Sequence, residues 1–426
     1  MKEILKIKGN NMLHGEVNIG GAKNSLVALI PASIITKSVV KLTNVKPIDD
    51  TYTLLKILEK INVKTLYDDK DCLYIDARNI RNKRLDCEEV LKMRASYYFM
   101  GSLISLYKKV SVIGPGGCNF GERPIDLHLK AFECLGINYK LENNLYSFNR
   151  NGINKKIINF EKKSVGATVN AILASCKTSS KIIIKNCALE PEIDDLISFL
   201  NECGCNITRE KEDIIINKCG KLHGCEYKVM SDRIEAGTFL IIGSALGNNL
   251  KINNINPKHL DSLIKVLKDI GVNLIINDNS ITVSKVDEYK SIDVIVNPYP
   301  GFPTDLQQPL SVLLCLCNGK SSIKETIYPA RLSHIDSLNK MGANINIKDE
   351  LIVIDGDKKF YGKSVSGKDL RGGISLVIAA LLANGESEID GVKYIKRGYS
   401  DLVIKLKKIG ADVSLERIND DEKETR

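Results

Sequence analysis

The 426-residue chain predicts an α/β fold in which six similar units of about 70 residues form two domains of three units each. Two kinds of helix alternate along the chain. One is amphipathic, ends at a glycine or asparagine and precedes an alternating strand, whereas the other opens with polar residues and continues as an apolar run. Each kind recurs in the same order, and this repetition indicates the fold more strongly than any single helix does.

The amphipathic helices carry apolar residues at spacings of three and four, which place those residues on one helix face. In the first unit Leu54, Leu58 and Ile61 share such a face, and Asn62 follows them. Asparagine or glycine supplies the positive φ that ends a helix, and the alternation in 63–67 is typical of a half-buried strand. The corresponding positions in the next five units are Gly136, Gly204, Gly271, Gly342 and Gly410.

The apolar helices begin with polar or charged residues. A helix N-terminus presents unpaired N–H groups and a partial positive charge, so cation-bearing starts would form an anion site if the fold brings them together. Ordinary capping explains some of these residues, but the helix dipole disfavours cations at a helix start. The six starts are 21–24, 93–96, 164–168, 232–237, 303–305 and 369–371.

The repeats place the domain division just before the fourth unit, which opens at Asp232. We expect residues 21–229 to form the first domain, and residues 1–20 with 230–426 to form the second. The first strand, predicted over Ile4–Ile19, precedes the first full unit and would close the second domain. The chain would then cross twice between the domains, an arrangement that suits a hinge closing over a substrate.

The composition is that of an ordinary globular protein, with 43% hydrophobic and 27% charged residues. A net charge of +9 could indicate nucleic acid, but the lysines are dispersed, tryptophan is absent and no basic stripe carries interleaved aromatics. Anionic small-molecule substrates fit this charge, and we predict no nucleic-acid partner. There is no apolar run of about 18 residues, and the N-terminal residues alternate like a strand, so we expect neither membrane insertion nor a secretion signal.

The twelve cysteines are spread over the whole chain. Two Cys-x-Cys pairs occur, at 203/205 and 315/317, but no Cys-x-x-Cys, and the five histidines have no ligand spacing to them. The sequence therefore predicts a reduced, cytoplasmic protein with no structural metal and no cofactor, and nothing in it requires an oligomer.

One thiol, Cys118, lies in the glycine-rich stretch 115–124, with Arg123 five residues later. Glycines allow a backbone to turn sharply and approach a ligand, and a nearby cation favours thiolate over thiol. Such a cysteine can act as a nucleophile or acid near neutral pH. A surface loop with an inert thiol is an equally good interpretation of this stretch alone.

Several short motifs accompany the repeats in a fixed order. They are Gly21-Ala-Lys-Asn24, Met93-Arg-Ala-Ser96, Pro115-Gly-Gly-Cys118, Arg123-Pro-Ile-Asp-Leu-His128, Ser164-Val-Gly-Ala-Thr168, Glu190-Pro-Glu-Ile193, Asp232-Arg-Ile-Glu235, Phe302-Pro-Thr-Asp305, Asp369-Leu-Arg371 and Arg397-Gly-Tyr399. With these motifs the chain resembles, essentially end to end, the enolpyruvyl transferase family, and within it the UDP-N-acetylglucosamine 1-carboxyvinyltransferases. The resemblance implies two inside-out α/β domains, the first carrying the Cys118 loop, with an active site in the cleft between them.

The resemblance also implies the reaction, which is an addition followed by an elimination. The enolpyruvyl group of phosphoenolpyruvate moves to the 3-hydroxyl of UDP-N-acetylglucosamine, and phosphate is released. The C3 methylene gains a proton as C2 is attacked and loses one as phosphate departs, which requires acid–base groups and cations around a phosphate and a carboxylate. In this family the reaction is the first committed step of peptidoglycan synthesis, so the implied roles are in cell-wall biogenesis, cell shape and cell division.

Matching positions imply the catalytic and phosphoenolpyruvate-binding residues. Cys118 would be the general acid to C3, could add to C2, and would be the target of the epoxide antibiotic fosfomycin. Asp305 would accept a hydrogen bond or a proton from the sugar 3-hydroxyl. The residues implied to hold the phosphate are Lys23, Arg123 and Arg397, those implied to hold the carboxylate are Arg331 and Arg371, and the catalytic set is Cys118, Lys23, Asp305 and Arg397.

The same matching implies a site for the nucleotide sugar. Asn24 would position the sugar, and the helix start after Ser164 would contact the diphosphate through backbone N–H groups. Two structural alternatives stay open: Asp305 as a helix cap only, and Arg94 as a brace for the Cys118 loop. The complete implied set is Asn24, Arg94, Arg123, Lys162, Ser164, Val165, Gly166, Asp305 and Ile327.

Five positions depart from the family pattern. Pro329 stands where glutamate is usual, and Lys396 where aspartate is usual, so two acids near the phosphoenolpyruvate arginines are missing and the local positive charge should rise. We predict retained activity with weaker domain closure or altered affinity for phosphoenolpyruvate, and a lower Michaelis constant for Pro329→Glu and Lys396→Asp. The other three positions are Gly20, Gly372 and Ser400.

Three other functions compete with this interpretation. The shikimate-pathway enolpyruvyl transferase shares the fold, but the Cys118 loop and the 164–168 motif argue against it. A divergent paralogue with another acceptor is opposed by Asn24, Arg94 and Asp305. A non-catalytic sensor would bind UDP-N-acetylglucosamine without releasing phosphate.

Overall fold

The chain divides into two compact units in the computed structural model. The structure describes residues 2–68, 71–114, 116 and 125–418. Within those ranges, one unit comprises residues 21–230, and the other combines residues up to 20 with those from 231 onwards.

The N-terminal segment forms two strands, β1 (Lys2–Lys8) and β2 (Glu16–Asn18), so the prediction of one strand over Ile4–Ile19 is wrong. Between them Asn10 and Gly15 adopt φ values of 65° and 83°, which interrupt the extended backbone. The two strands join different sheets, each with partners from the C-terminal half of the chain.

The unit of residues 21–230 alternates apolar and amphipathic helices, as the repeats predict. Its described helices are α1 (Lys23–Ser33), α2 (Asp49–Lys60), α3 (Glu88–Lys92), α4 (Tyr98–Leu106), α5 (Asp126–Cys134), α6 (Val165–Ser175) and α7 (Pro191–Glu202). The apolar helices α1, α4 and α6 are buried along most of their length, and α4 packs against the other two. A short 3₁₀ helix over Arg94–Tyr97 precedes α4, so the α-helix itself begins later than the predicted start.

Three sheets complete this unit within the described residues. Their strands are β3 (Val39–Thr43), β4 (Lys64–Asp68), β5 (Cys72–Asp76), β6 (Lys109–Ile113), β7 (Ile137–Glu142), β8 (Leu145–Arg150), β9 (Ile157–Asn159), β10 (Ile182–Lys185), β11 (Ile207–Glu210), β12 (Asp213–Ile216) and β13 (Glu226–Lys228). The strand orders are β13-β3-β5-β4, β6-β8-β7 and β11-β12-β10-β9. In each sheet an antiparallel hairpin follows an amphipathic helix, and its first strand is the one that the repeats predict.

The second unit has the same architecture. Its described helices are α8 (Arg233–Leu246), α9 (Asp261–Ile270), α10 (Thr304–Leu314), α11 (Ile335–Lys340), α12 (Leu370–Leu382), α13 (Val392–Ile395) and α14 (Leu402–Lys408). Its further strands are β14 (Leu250–Asn253), β15 (Leu274–Ile276), β16 (Ser280–Val283), β17 (Asp293–Val296), β18 (Lys320–Glu325), β19 (Asn344–Lys348), β20 (Leu351–Asp355), β21 (Ser364–Ser366), β22 (Glu386–Asp390) and β23 (Asp412–Ile418). The sheet orders are β15-β16-β14-β2, β17-β18-β20-β19 and β21-β22-β1-β23.

The residues that end the amphipathic helices all adopt the predicted left-handed conformation. Asn62 has φ of 63°, and the five glycines have φ between 71° and 112°. At Gly136 the backbone of Gly152 also passes so close that no side chain would fit. These positions turn the chain from each helix into its hairpin.

The apolar helices form the interior of both units, which confirms the inside-out arrangement. All 14 residues of α8 are buried, and α10 and α12 pack against it and each other. Strands such as β18 alternate exposed and buried residues, as expected for sheets with one solvent-facing side. None of the helices within the described ranges is long and apolar enough to cross a membrane.

Candidate active site

The first unit presents Lys23 and Asn24 at the start of α1. Lys23 Nζ lies 2.9 Å from Asp50 Oδ2, and Asp50 belongs to the acidic first turn of α2. This ion pair offsets the unfavourable position of a cation at a helix N-terminus. The backbone N–H of Ala22, just before the helix, donates to the carbonyl oxygen of Met230 at 2.7 Å. Asn24 is exposed beside this anchored lysine.

The start of α6 lies close to Arg94. The Arg94 guanidinium carbon lies 5.7 Å from the centre of the Tyr97 ring, and that ring contacts His128 edge to face at 4.7 Å. A Cβ on Gly166 would come within 2.6 Å of the Tyr97 hydroxyl and 2.9 Å of the His128 ring. Only glycine therefore allows α6 to begin this close to the aromatic pair.

Ser164 caps α6, because its Oγ accepts a hydrogen bond from the N–H of Ala167 at 3.3 Å. Val165 and Lys162 are exposed on either side of this cap. The structure thus brings Arg94 and the residues of the predicted diphosphate site into one region of the first unit.

His128 is held neutral behind that region. Its Nδ1 lies 2.8 Å from Asn170 Nδ2, and burial, with the nearby positive charge of Arg94, lowers the pKa of His128 to about 3. The imidazole therefore adds no charge of its own to a site suited to an anion.

The second unit places Asp305 between two arginines at the start of α10. Arg331 Nη1 donates to Asp305 Oδ1 at 2.8 Å, and Arg371 Nη2 donates to Oδ2 at 2.9 Å. Both arginines are almost fully buried, whereas the Asp305 side chain keeps 22% of its surface exposed. Burial raises the pKa of Asp305, but the charges of Arg371 and Arg331 outweigh it and hold the pKa far below its usual range.

Polar partners fix both guanidinium groups in place. Arg331 Nη1 also donates to Thr304 Oγ1 at 2.9 Å, and the Thr304 hydroxyl donates to Glu325 at 2.8 Å. Arg371 Nη1 donates to the Tyr399 hydroxyl at 3.1 Å, and that hydroxyl lies 2.8 Å from Thr238 Oγ1 on α8. These hydrogen bonds connect the starts of α10 and α12 to α8.

Other predicted residues lie near this cluster. Ile327 is partly buried, and its backbone N–H donates to Glu325 Oε1 at 2.8 Å. Arg397 is partly exposed two residues before Tyr399, which is buried. Cys118 and Arg123 lie outside the described residues.

Two cations next to the departures from the family pattern have acidic partners. Arg331 has Asp305 as its acidic partner, and Lys396 Nζ lies 2.6 Å from a carboxylate oxygen of Glu3 on β1. Asp305 is shared with Arg371, so a rise in local positive charge stays a prediction. Pro329 is exposed.

Four residues that complete the site were missed from the sequence. Asp50 pairs with Lys23, and Glu325 holds Arg331 through the Thr304 hydroxyl. Thr238 orients Tyr399, and Glu3 neutralises Lys396. Only Asp50 had a local signal, because acidic residues in a first helical turn are typical of helix starts.

Two repeated α/β units with cations at buried helix starts define a class of enzyme that handles anionic substrates. The chain belongs to the enolpyruvyl transferase family, because residues 7–406 match the family described as EPSP synthase (3-phosphoshikimate 1-carboxyvinyltransferase).

Within that family the chain is similar to UDP-N-acetylglucosamine 1-carboxyvinyltransferases. The protein of that name from Clostridium botulinum is 42% identical over 411 residues, covering 96% of this chain and 99% of the relative. UDP-N-acetylglucosamine 1-carboxyvinyltransferase 2 from Listeria monocytogenes is 42% identical over 415 residues, covering 97% of this chain and 98% of the relative.

Solved structures confirm the fold at lower identity. The enolpyruvyl transferase NikO from Streptomyces tendae matches with a TM-score of 0.88 at 22% identity, over 98% of this chain and all of that one. EPSP synthase from Acinetobacter baumannii matches with a TM-score of 0.74 at 16% identity and the same coverage.

Proposed function

We propose that this protein transfers the enolpyruvyl group of phosphoenolpyruvate to the 3-hydroxyl of UDP-N-acetylglucosamine and releases phosphate, acting in the cytoplasm as the first committed enzyme of peptidoglycan synthesis. The observation that carries this proposal is 42% identity over nearly the whole chain to relatives named for that reaction. The shikimate-pathway acceptor is disfavoured, since the EPSP synthase structure is only 16% identical.

Cations bind the two acidic groups of phosphoenolpyruvate. Lys23, Arg123 and Arg397 bind the phosphate, and Arg331 and Arg371 bind the carboxylate, to which a guanidinium can donate two parallel hydrogen bonds. Buried arginines that are fixed by other partners reorganise little when charge develops, which favours the transition state.

Asp305 accepts the hydrogen bond of the sugar 3-hydroxyl. In the structure it is a weak base, because Arg331 and Arg371 hold its pKa far below the usual range. The carboxylate of phosphoenolpyruvate is a competing partner for the same two arginines. When it binds beside them, its negative charge offsets theirs, so the pKa of Asp305 rises and Asp305 becomes a better acceptor for the hydroxyl proton.

The addition and elimination then follow in order. Cys118 donates a proton to C3 as the sugar oxygen attacks C2, and the tetrahedral adduct forms. Loss of a C3 proton with departure of the phosphate restores the double bond. Cys118 is also the group through which fosfomycin would inactivate the enzyme.

The nucleotide part of the acceptor binds to the first unit. Arg94 and Lys162 supply positive charge, and the first backbone N–H groups of α6, at Val165 and Gly166, contact the diphosphate. Ser164 fixes the start of the helix, and Asn24 contacts the sugar. The contacts of Arg94 with Tyr97, and its proximity to His128, support a role beyond bracing the Cys118 loop.

A comparison of acceptors tests this function directly. The protein is incubated with phosphoenolpyruvate and either UDP-N-acetylglucosamine, UDP-N-acetylgalactosamine or shikimate 3-phosphate, and the products are weighed by mass spectrometry. We expect an enolpyruvyl adduct of UDP-N-acetylglucosamine alone. An adduct formed only with another acceptor would show that the protein is a paralogue with a different substrate. Binding of the nucleotide sugar without any adduct would show that it is a non-catalytic sensor.

A further inference from the structure

Two cysteine-bearing segments face each other at the end of α7. The turn after that helix carries Cys203 and Cys205, and the segment that leads into β13 carries Cys219 and Cys225. Cys203 Sγ lies 3.3 Å from Cys225 Sγ, although the two residues are 22 positions apart. The N–H of His223 donates to the carbonyl oxygen of Cys203 at 3.0 Å, which holds the two segments in register.

We propose that Cys203 and Cys225 form a redox modification site, at which hydrogen peroxide converts the two thiols into a disulfide. The bond length of a disulfide is about 2.05 Å, so the sulfur atoms need to approach by only a little more than 1 Å. Neither cysteine belongs to the proposed active site, and this inference does not depend on the proposed function.

The two thiols are suited to different steps. Cys225 is partly exposed, so peroxide can reach it, whereas Cys203 is fully buried. The hydrogen bond with Cys203 lowers the pKa of Cys225, and the same contact, with burial, raises the pKa of Cys203. Cys225 is therefore the thiol that attacks the oxidant, and Cys203 is the one that resolves the intermediate.

The chemical balance is complete with peroxide as the only oxidant. The Cys225 thiolate attacks one peroxide oxygen, the O–O bond breaks, and a sulfenic acid and one water form. The Cys203 sulfur then attacks the Cys225 sulfur, the S–O bond breaks, and a second water leaves with the Cys203 proton. Two thiols and one hydrogen peroxide thus give one disulfide and two waters.

The surrounding structure favours a disulfide over a metal. No group of three or more histidine, cysteine or acidic residues suited to a metal ion occurs in the described part of the chain. The disulfide would link α7 to β13, which are already joined because Tyr227 donates to Asp195 Oδ1 at 2.7 Å. The bond therefore fits the existing packing, and we expect it to raise the unfolding temperature by constraining the unfolded chain.

Trypsin separates the relevant cysteines and allows a direct test. Cleavage gives peptides 186–209 with Cys187, Cys203 and Cys205, 219–221 with Cys219, and 222–228 with Cys225. The wild-type protein is treated with hydrogen peroxide, its free thiols are alkylated, and the digest is weighed without reduction. We expect peptides 186–209 and 222–228 to be linked, with a mass two hydrogens below their sum, and dithiothreitol to release them.

Two serine variants identify the partner within the larger peptide. Cys203→Ser should abolish the link, and the matched control Cys205→Ser should leave it. Alkylated or sulfonic Cys225 in the oxidised wild-type protein would overturn the proposal, as would a link from 186–209 to 219–221 instead. Fragmentation of the linked wild-type peptides in the mass spectrometer also identifies the cysteine, so a variant that fails to fold leaves the test intact.

Discussion

Arg371 connects the carboxylate of Asp305 to the hydroxyl of Tyr399, with one guanidinium nitrogen on each at 2.9 and 3.1 Å. Tyr399 is buried and continues the chain of contacts to Thr238 on α8. Through this chain three helices of the second unit determine where the positive charge of Arg371 lies. The proposed roles of Asp305 and of both arginines depend on this fixed geometry.

Replacing Asp305 by asparagine should remove most of the activity. The variant keeps the shape but leaves Arg331 and Arg371 without a negative charge between them, and it cannot take a proton. We expect kcat to fall by about 10²- to 10⁴-fold and the free energy of unfolding to fall by about 1.5–3 kcal/mol. Steady-state kinetics and urea denaturation measure both, with Asp336→Asn as a control at an exposed helix start. Unchanged kcat in Asp305→Asn would rule out its proposed role.

Replacing Tyr399 by phenylalanine should weaken phosphoenolpyruvate binding without creating a large cavity in the core. Arg371 and Thr238 each lose one hydrogen-bond partner, and hydrogen bonds to charged groups contribute about 1.5–3 kcal/mol. We expect kcat/KM for phosphoenolpyruvate to fall roughly tenfold or more, mostly through KM. Tyr361→Phe, at a half-exposed tyrosine, is the matched control. Equal kinetics for the two variants would contradict the positioning role of Tyr399.

His128 should make the protein less stable as the pH falls from about 6.5 toward 3. In the unfolded chain its pKa is about 6.5, whereas burial and Arg94 lower the pKa of the folded form to about 3, so the unfolded state binds more protons in that interval. The free energy of unfolding should lose about 1.4 kcal/mol per pH unit from this histidine. In urea titrations at pH 7, 6 and 5, the free energy of unfolding of His128→Gln should fall less with pH than that of the wild-type protein. The control His14→Gln should behave like the wild-type protein.

Lys396→Asp should not lower the Michaelis constant for phosphoenolpyruvate, contrary to the expectation from the family pattern. Lys396 is paired with Glu3, so an aspartate there would place two carboxylates together. We expect a loss of stability of up to about 1 kcal/mol, because the pair is partly exposed. Lys396→Met is the uncharged control. A fall in KM for phosphoenolpyruvate in Lys396→Asp but not in Lys396→Met would contradict this prediction. A lower KM for Pro329→Glu stays a prediction.

Cys118→Asp should resist fosfomycin while keeping some turnover. A carboxylic acid can still donate a proton to C3, but it lacks the sulfur nucleophile that the epoxide alkylates. The measurement is residual phosphate release after incubation with the drug. Inactivation at the wild-type rate would refute the assignment of the thiol.

The repeated fold could be predicted because its signals are local. Apolar spacing, the capping residue and the following alternation all lie within about 20 residues of one another, and Asn62 and the glycines at the same position have positive φ as expected. The prediction failed for Ile4–Ile19, where the backbone turns at Asn10 and Gly15 between two separate strands.

The contacts of the candidate site could be predicted only in part. Motifs identified Asp305 and Arg371, but Lys396 with Glu3 and Lys23 with Asp50 are pairs brought together by tertiary structure. Glu3 and Lys396 are 393 positions apart, so no periodicity or spacing in the sequence links them. The sequence showed no acidic partner for Lys396, because Glu3 is so distant along the chain.

Phosphate release from phosphoenolpyruvate, measured with and without UDP-N-acetylglucosamine, tests the proposed function most directly. We predict release only when the nucleotide sugar is present, in amounts equal to the enolpyruvyl product. Absence of release when both ligands bind would contradict the account, because the anion-binding residues would then serve recognition without transfer.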